Sequence, residues 1–271
     1  MTQIICLANS WKRGERCIAG LETATYRWLR PVCSQYPEDG RVPKAMRLVG
    51  DREPRLLDIL DIPLDKTGPD FGFECENVTV LAGKWRKVGA VEPVDLLPYC
   101  SNAAYILHNP EHYVEVSWLQ SLPFEQRQTL QLVYASQLRV YREINPEGRP
   151  RWRGTIITPQ GSVLSQLSVT DPQFFQRLEW GKMPQYPCLV TVSLSMPYRP
   201  SEDWDRGDRC WKLIAGAIEL SPFHQILIEM KRMGWSKEQG RAYLQKTYKK
   251  QTRIQLNPTE RQDFLNYLRS L

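Results

Sequence analysis

The chain of 271 residues contains no run of the roughly 18 consecutive apolar residues that a membrane-spanning helix requires. Its longest charge-free stretches, Leu96–Pro110, Gly154–Thr170 and Met183–Tyr198, are interrupted by Pro, Asn, Gln, Ser or Gly. No membrane partner is therefore expected. The opening MTQIICLANSWKRGER places no basic segment ahead of an apolar core, so no signal peptide is expected either. Paired cysteines at CxxC spacing are absent, which removes the common zinc-ribbon and thioredoxin patterns. The seven cysteines are odd in number and widely scattered, so reduced, mostly buried thiols in a cytoplasmic protein are the expectation.

The motifs of common enzyme classes are also missing. GxGxxG, GxxxxGK[ST] and GxSxG do not occur, so the usual phosphate cradles and the nucleophile elbow are excluded. Only three histidines are present. His108 and His112 bracket Asn109-Pro110-Glu111, and Pro110 opposes the continuous helix that an HExxH-type zinc site needs. The acids Asp51, Glu53, Asp58, Asp61 and Asp65 invite a magnesium-nuclease reading, but Arg47, Arg52 and Arg55 interleave with them as on a solvated mixed-charge surface. No metal, no cofactor and no catalytic residue is assigned.

What the chain has is an uneven charge. The net formal charge is +6, and from Ser221 onward ten Lys/Arg face four Asp/Glu. The other 26 bases and 26 acids cancel, so all the excess lies in the last 51 residues. A locally basic module attracts polyanions.

Short β-rich runs occupy the first 220 residues: Gln3–Leu7, Arg16–Gly20, Tyr26–Val32, Leu56–Ile62 and Val78–Leu81, then Ser136–Glu143, Arg151–Thr158, Val163–Val169, Cys188–Ser195 and Arg209–Glu219. NPEGRP and PQG mark turns between them. Val94–Leu107 and Ser117–Val133 read as helical bridges between two small barrels, with Ser121–Pro123 interrupting the second. The tail reads as three helices. Ser221-Pro222 starts the first and Gly234 ends it; Ser236-Lys-Glu-Gln239 and Asn257-Pro-Thr-Glu260 are capping boxes for the others. The expected fold is mainly β: a first barrel with its connecting segment over 1–125, a second over 126–220, and a basic three-helix module over 221–271.

Cys6-LANSWKRGER-Cys17-IAG, continuing to Tyr26-RWLRPV, resembles the opening of the dual OB-fold domain family of bacterial proteins, in which two oligonucleotide/oligosaccharide-binding barrels follow one another. Arg153-GTIITPQG, Ser168-VTDPQF, Val192-SLSMPY and Cys210-WKLIAGAIE match in order, so the resemblance spans about residues 1–220. SEDWDRGD, over 201–208, departs from it and reads as an insertion. GWSKEQGRAYL and the basic stretch after it resemble C-terminal modules of cyanobacterial proteins. The resemblance implies OB barrels, which commonly pair a basic groove with aromatic faces for stacking bases.

Candidate ligand residues follow. Lys12, Arg13 and Arg16 flank the turn between the first two strands, where Asn9 and Ser10 add hydrogen-bonding groups. Strand alternation puts Trp28 and Arg30 on one face, either as a stacking platform with a phosphate contact or as a core tryptophan beside an outward arginine. Arg151 and Arg153 share a face opposite Trp152, which makes Trp152 a core residue. Lys246, Lys249, Lys250 and Arg253 form a basic edge in the tail. Binding of single-stranded DNA or RNA is the leading expectation. An adaptor whose tail docks a protein partner is the alternative, and an enzyme of nucleic-acid or nucleotide metabolism, suggested by the density of polar residues in the first signature and testable at Asn9 or Arg16, is the third.

Overall fold

A computed structural model describes residues 1–145, 148–199 and 207–271. Residues 146 and 147 of NPEGRP and 201–206 of SEDWDRGD lie outside the described residues.

Six strands build the first sheet: β1 (Thr2–Lys12), β2 (Glu15–Glu22), β3 (Trp28–Val32), β4 (Asp58–Ile62), β5 (Asn77–Thr79) and β6 (Arg86–Ala90). β1 pairs with both β2 and β4, and β3 runs parallel to β5. Just beyond β4 the chain closes the ring on β5 through a Leu64–Val80 bridge and hydrogen bonds Leu81 N to Pro63 O and Asp65 N to Thr79 O, both 2.8 Å. Ile4, Cys6, Ile18, Leu60 and Ile62 fill the interior. The short helix α1 (Lys44–Arg47) sends Met46 against that core.

β7 (Tyr113–Glu115) and the short helix α2 (Val116–Ser121) precede β8 (Leu130–Ala135), β9 (Gln137–Ile144), β10 (Pro150–Ile157), β11 (Val163–Val169), β12 (Cys188–Leu194) and β13 (Arg209–Glu219), which with β7 paired to β13 form the second sheet. β8 and β9 are nearly one strand, separated at Ser136, with β8 on β12 and β9 on β10. β11 is parallel to β13, and β13 is antiparallel to β12. The two rings thus repeat one topology, with β8–β9 standing for β1. Between β11 and β12, α3 (Pro172–Glu179) inserts Phe174 and Leu178 into the second core, beside Trp152, Ile156 and Ile214. Its cap Asp171 accepts from the amides of Gln173 (2.9 Å) and Phe174 (3.1 Å), and also from Ala217 N on β13 (3.2 Å).

β1 is buried on both faces, which explains its unbroken apolar run. Ile4 and Cys6 face the first barrel's interior, whereas Ile5 and Leu7 join Leu21, Leu132, Leu189 and Leu220 between the barrels. Ala8 and Ala19 meet Leu130 and Ala215 there. The backbones approach so closely at Gly216 that a Cβ would lie 2.2 Å from the Leu7 carbonyl oxygen. A polar network also crosses this junction. Arg30, 2% exposed, pairs with the equally buried Glu74 at 2.8 Å and donates to Asn77 Oδ1 (3.2 Å) and Thr129 Oγ1 (2.8 Å). Glu76 accepts from Thr129 N (2.6 Å), Thr129 Oγ1 (2.9 Å) and Leu130 N (3.1 Å).

The tail consists of α4 (Pro222–Arg232), α5 (Lys237–Tyr248) and α6 (Pro258–Ser270) around Ile226, Met230, Leu244, Phe264 and Leu268. Both capping boxes form as read. Ser221 occupies the N-cap position of α4, but its hydroxyl meets His224 Nδ1 at 3.1 Å in place of a backbone amide. The module rests on the barrels through Ile228, a Lys231–Asp95 ion pair at 2.6 Å and an Arg253–Glu92 ion pair at 3.4 Å.

The two expected helical bridges are corrected. Val94–Leu107 contains only a 3-10 helix over Pro93–Tyr99, whose internal Pro98 prevents a regular helix. Ser117–Val133 is interrupted after α2 at Leu122-Pro123, as expected, but beyond the break its end is strand β8, not helix. The apolar spacing of Leu130, Leu132 and Val133 fits either period, and pairing with β12 decides it. β6, exposed and polar, carries no strand signal and forms by pairing with β4.

Candidate nucleic-acid interface

OB barrels usually present the outer face of strands 2 and 3, with the loops joining strands 1–2 and 4–5, to their ligands. In the second barrel these are β10, β11 and the connection after β12. Alternation on β10 turns Trp152 and Gly154 inward and Arg151 and Arg153 outward. Across the register Arg151 faces Glu143 and Arg153 faces Tyr141 on β9, while Ser168 on β11 faces Arg153. Trp152 is 6% exposed and donates its indole N–H to Glu179 at 2.5 Å. Arg153 donates to Glu143 at 2.6 Å and to the Ser168 hydroxyl, which orients its guanidinium on the face. Arg151 is exposed.

The first barrel supplies the opposite wall. Its β1–β2 hairpin turns through Arg13 (φ 47°) and Gly14 (φ 83°), a two-residue turn with both central residues left-handed, the geometry that matches strand twist. Trp11 fastens this hairpin to the second barrel: its amide donates to Thr170 O at 2.9 Å, and its ring meets Phe175 edge-on at 5.1 Å. Arg16 lies 5.6 Å over the Trp11 ring. Lys12 donates to Asp39 O at 2.6 Å, and Arg13 approaches the Asp39 carboxylate only to 3.7 Å.

These walls border a half-open cavity of about 770 Å³. The bases Lys12, Arg13, Arg151, Arg153 and Lys212 line it, as do Arg30 and its partner Glu74. Asp39 and Glu143 are the other acids. Trp11, Tyr141 and Tyr198 contribute rings that are 44, 44 and 60% exposed. Deeper, His112 lies 5.1 Å from Trp211, whose indole N–H is buried without a hydrogen-bond partner. Lys212 is 1% exposed and donates to the carbonyls of Ile106 and Asn109, both at 2.6 Å, and to Asn109 Oδ1 at 3.0 Å. With no carboxylate among those partners, burial pushes its ammonium down to about 7, while nearby Glu111 opposes the shift. Burial likewise holds the His112 imidazole below its ordinary value.

The structure thus brings Ser10, Lys12, Arg13, Arg30, Arg151 and Arg153 to one cavity. Asn9 stands behind the wall, donating to Pro54 O at 2.8 Å, and Arg16 backs Trp11. Trp28 and Arg30 do share a face, but the second barrel covers it: Trp28 packs between the barrels and Arg30 is held by Glu74. Lys246, Lys249, Lys250 and Arg253 do not line the cavity. Trp11, Tyr141, Tyr198, Trp211 and Lys212 carry no site signal in the sequence, and His112 signals only a candidate metal pair with His108. Trp11 and Trp211 stood inside the quoted motifs, and only pairing of distant strands places them together.

The acids considered for a magnesium site are largely matched by bases: Glu53 with Arg47 at 2.8 Å, and Asp58 with Lys87 at 2.5 Å. Among the described residues no three His, Cys, Asp or Glu side chains gather as metal ligands. Among the described residues no helix is long and apolar enough to cross a membrane.

A family model, that of the dual OB-containing domain, matches residues 2–217. No curated protein and no solved structure matches the chain. The chain belongs to the dual OB-containing domain family.

Proposed function

We propose that this dual OB-containing chain binds single-stranded nucleic acid in the cavity between its barrels. One observation carries the reading: the second barrel's usual ligand face and the first barrel's hairpin converge, placing five bases and three exposed rings around one space. Lys12, Arg13, Arg151 and Arg153 take phosphates, with Ser10 as a hydrogen-bonding neighbour. Trp11, Tyr141 and Tyr198 offer faces for bases, each stack contributing about 1–3 kcal/mol. Asn9, Arg16, Trp28 and Arg30 hold the walls that carry these groups. Lys246, Lys249, Lys250 and Arg253 add sequence-independent attraction from the tail, which carries the whole net charge.

Fluorescence anisotropy with labelled single-stranded DNA and RNA at two salt concentrations tests this. Each phosphate contact contributes about −0.7 to the log–log salt slope for single strands. Replacing Arg151 and Arg153 together by Gln should flatten the slope by about 1.4, and replacing Lys246, Lys249 and Lys250 by about 2. Absence of binding at low salt would sink the reading. A partner pulled down by the tail after nuclease treatment would favour the adaptor instead.

A further inference from the structure

An OB face that follows a running strand engages about 4–16 nucleotides and stays open along its length. Here that face is faced across by the first barrel's hairpin, tied down at Thr170 and Phe175. The resulting 770 Å³ lies in the roughly 300–1,000 Å³ range of pockets that enclose a single small ligand. The first barrel's corresponding face offers no extension, because Leu21 and Trp28 on it pack against the second barrel. By volume the space therefore suits one or two nucleotides.

Its charge points the same way. An internal phosphodiester carries one negative charge, whereas a phosphomonoester carries about −1.5 to −2 at neutral pH. Five bases line the cavity beyond the Arg30–Glu74 pair, against Asp39 and Glu143. Asp39 already pairs with Arg41 at 2.9 Å and Glu143 with Arg153 at 2.6 Å. Arg151 makes no ion pair among the described residues, and Arg13 has only its 3.7 Å approach to Asp39. Two arginines with little internal engagement in the lining of this half-open space match a doubly charged group. Trp211 also lines the space, and its buried indole N–H, without a hydrogen-bond partner, is a donor of the kind that reads a base or sugar oxygen.

We infer that the cavity recognises a nucleoside phosphomonoester, either the phosphorylated end of a strand or a free nucleotide. This deepens the nucleic-acid reading and rests on it. The strand end and the free nucleotide share their chemistry, so the experiment separates them.

The full chain is titrated with one single-stranded sequence in four forms: 5′-phosphate, 3′-phosphate, unphosphorylated and covalently closed circle. Nucleoside 5′-monophosphates serve as competitors. A phosphorylated end should bind at least tenfold more tightly than the unphosphorylated strand or the circle. Arg151→Gln, at an exposed position, should reduce that preference about tenfold, and an unchanged preference would overturn the inference. Competition by a free nucleotide at its own affinity near that of the phosphorylated strand would assign the free nucleotide as ligand. Lower affinity of the nucleotide would assign the strand end. Equal binding of circle and phosphorylated strand would overturn the inference and leave the nucleic-acid reading intact. Binding of none of the four strands, with no nucleotide bound, would overturn both.

Discussion

Arg30 is the residue whose loss should disturb the fold most. Its guanidinium is 2% exposed and reaches Glu74, Asn77 and Thr129, so it ties β3 of the first barrel to the start of β8 in the second. Arg30→Met keeps the apolar stem and removes the charge. Glu74, itself 2% exposed, is then left with the Asn77 side-chain amide at 2.6 Å as its hydrogen-bond donor. Breaking a buried pair in this way costs about 3–5 kcal/mol, most of it the penalty of the orphaned carboxylate. At about 1.4 kcal/mol per tenfold, the folding constant should fall by two to three and a half powers of ten. Such a loss is a large fraction of the roughly 5–15 kcal/mol that holds a domain together. Removing the second charge as well should restore much of it, so Arg30→Met with Glu74→Leu should be more stable than Arg30→Met alone by at least about 2 kcal/mol. Urea unfolding followed by the fluorescence of the nine tryptophans reads both variants. A cost below about 1 kcal/mol for Arg30→Met, or strictly additive single substitutions, would refute the argument that this pair is mutually dependent.

Gly216→Ala would push a Cβ to 2.2 Å from the Leu7 carbonyl, so β1 and β13 must separate; a loss of about 2–3 kcal/mol in urea unfolding is expected. Lys212 titrates near 7 when folded but near 10.4 when unfolded, so between those values the unfolded chain holds more protons. Stability from this residue therefore rises with pH over that window, and Lys212→Met should flatten the rise in unfolding free energy measured from pH 7 to 9. The same titration lowers the cavity's positive charge, so strand binding should weaken as pH increases from 6 to 8. Burial pushes the thiols of Cys75, Cys100, Cys188 and Cys210 up to about 12, so an aromatic disulfide reagent should label these four slowly at pH 8 and rapidly in denaturant.

Elements whose signals are local were legible in the sequence. The capping boxes at Ser236 and Asn257 depend on residues three apart, and both form. Alternation likewise sorted Trp152 inward and Arg151 and Arg153 outward. Alternation cannot tell which outward face will be covered. Trp28 and Arg30 on β3 obey the same rule as the β10 arginines, yet the second barrel lies over them, because partners such as Leu132 and Leu189 are more than 100 residues away. Ambiguity of period hid β8, where Leu130–Val133 suits helix or strand until β12 supplies its hydrogen bonds. Lys212 was unreadable for a related reason: a lysine in a strand signals exposure, and only the returning 106–109 loop provides the oxygens that let it be buried.

Trp28 has a bearing on stoichiometry. Tandem barrels ordinarily gain from linkage, since the second contact forms at the high effective concentration set by the first. In this chain the first barrel's outer face is packed against its neighbour, and its hairpin serves the neighbour's site. On the proposed function the two barrels would act as one receptor half each, and affinity would come from one shared site, not from avidity. Oligonucleotides longer than the cavity holds gain contacts only outside it, so a plot of affinity against strand length should bend after the first few nucleotides, at one strand per chain.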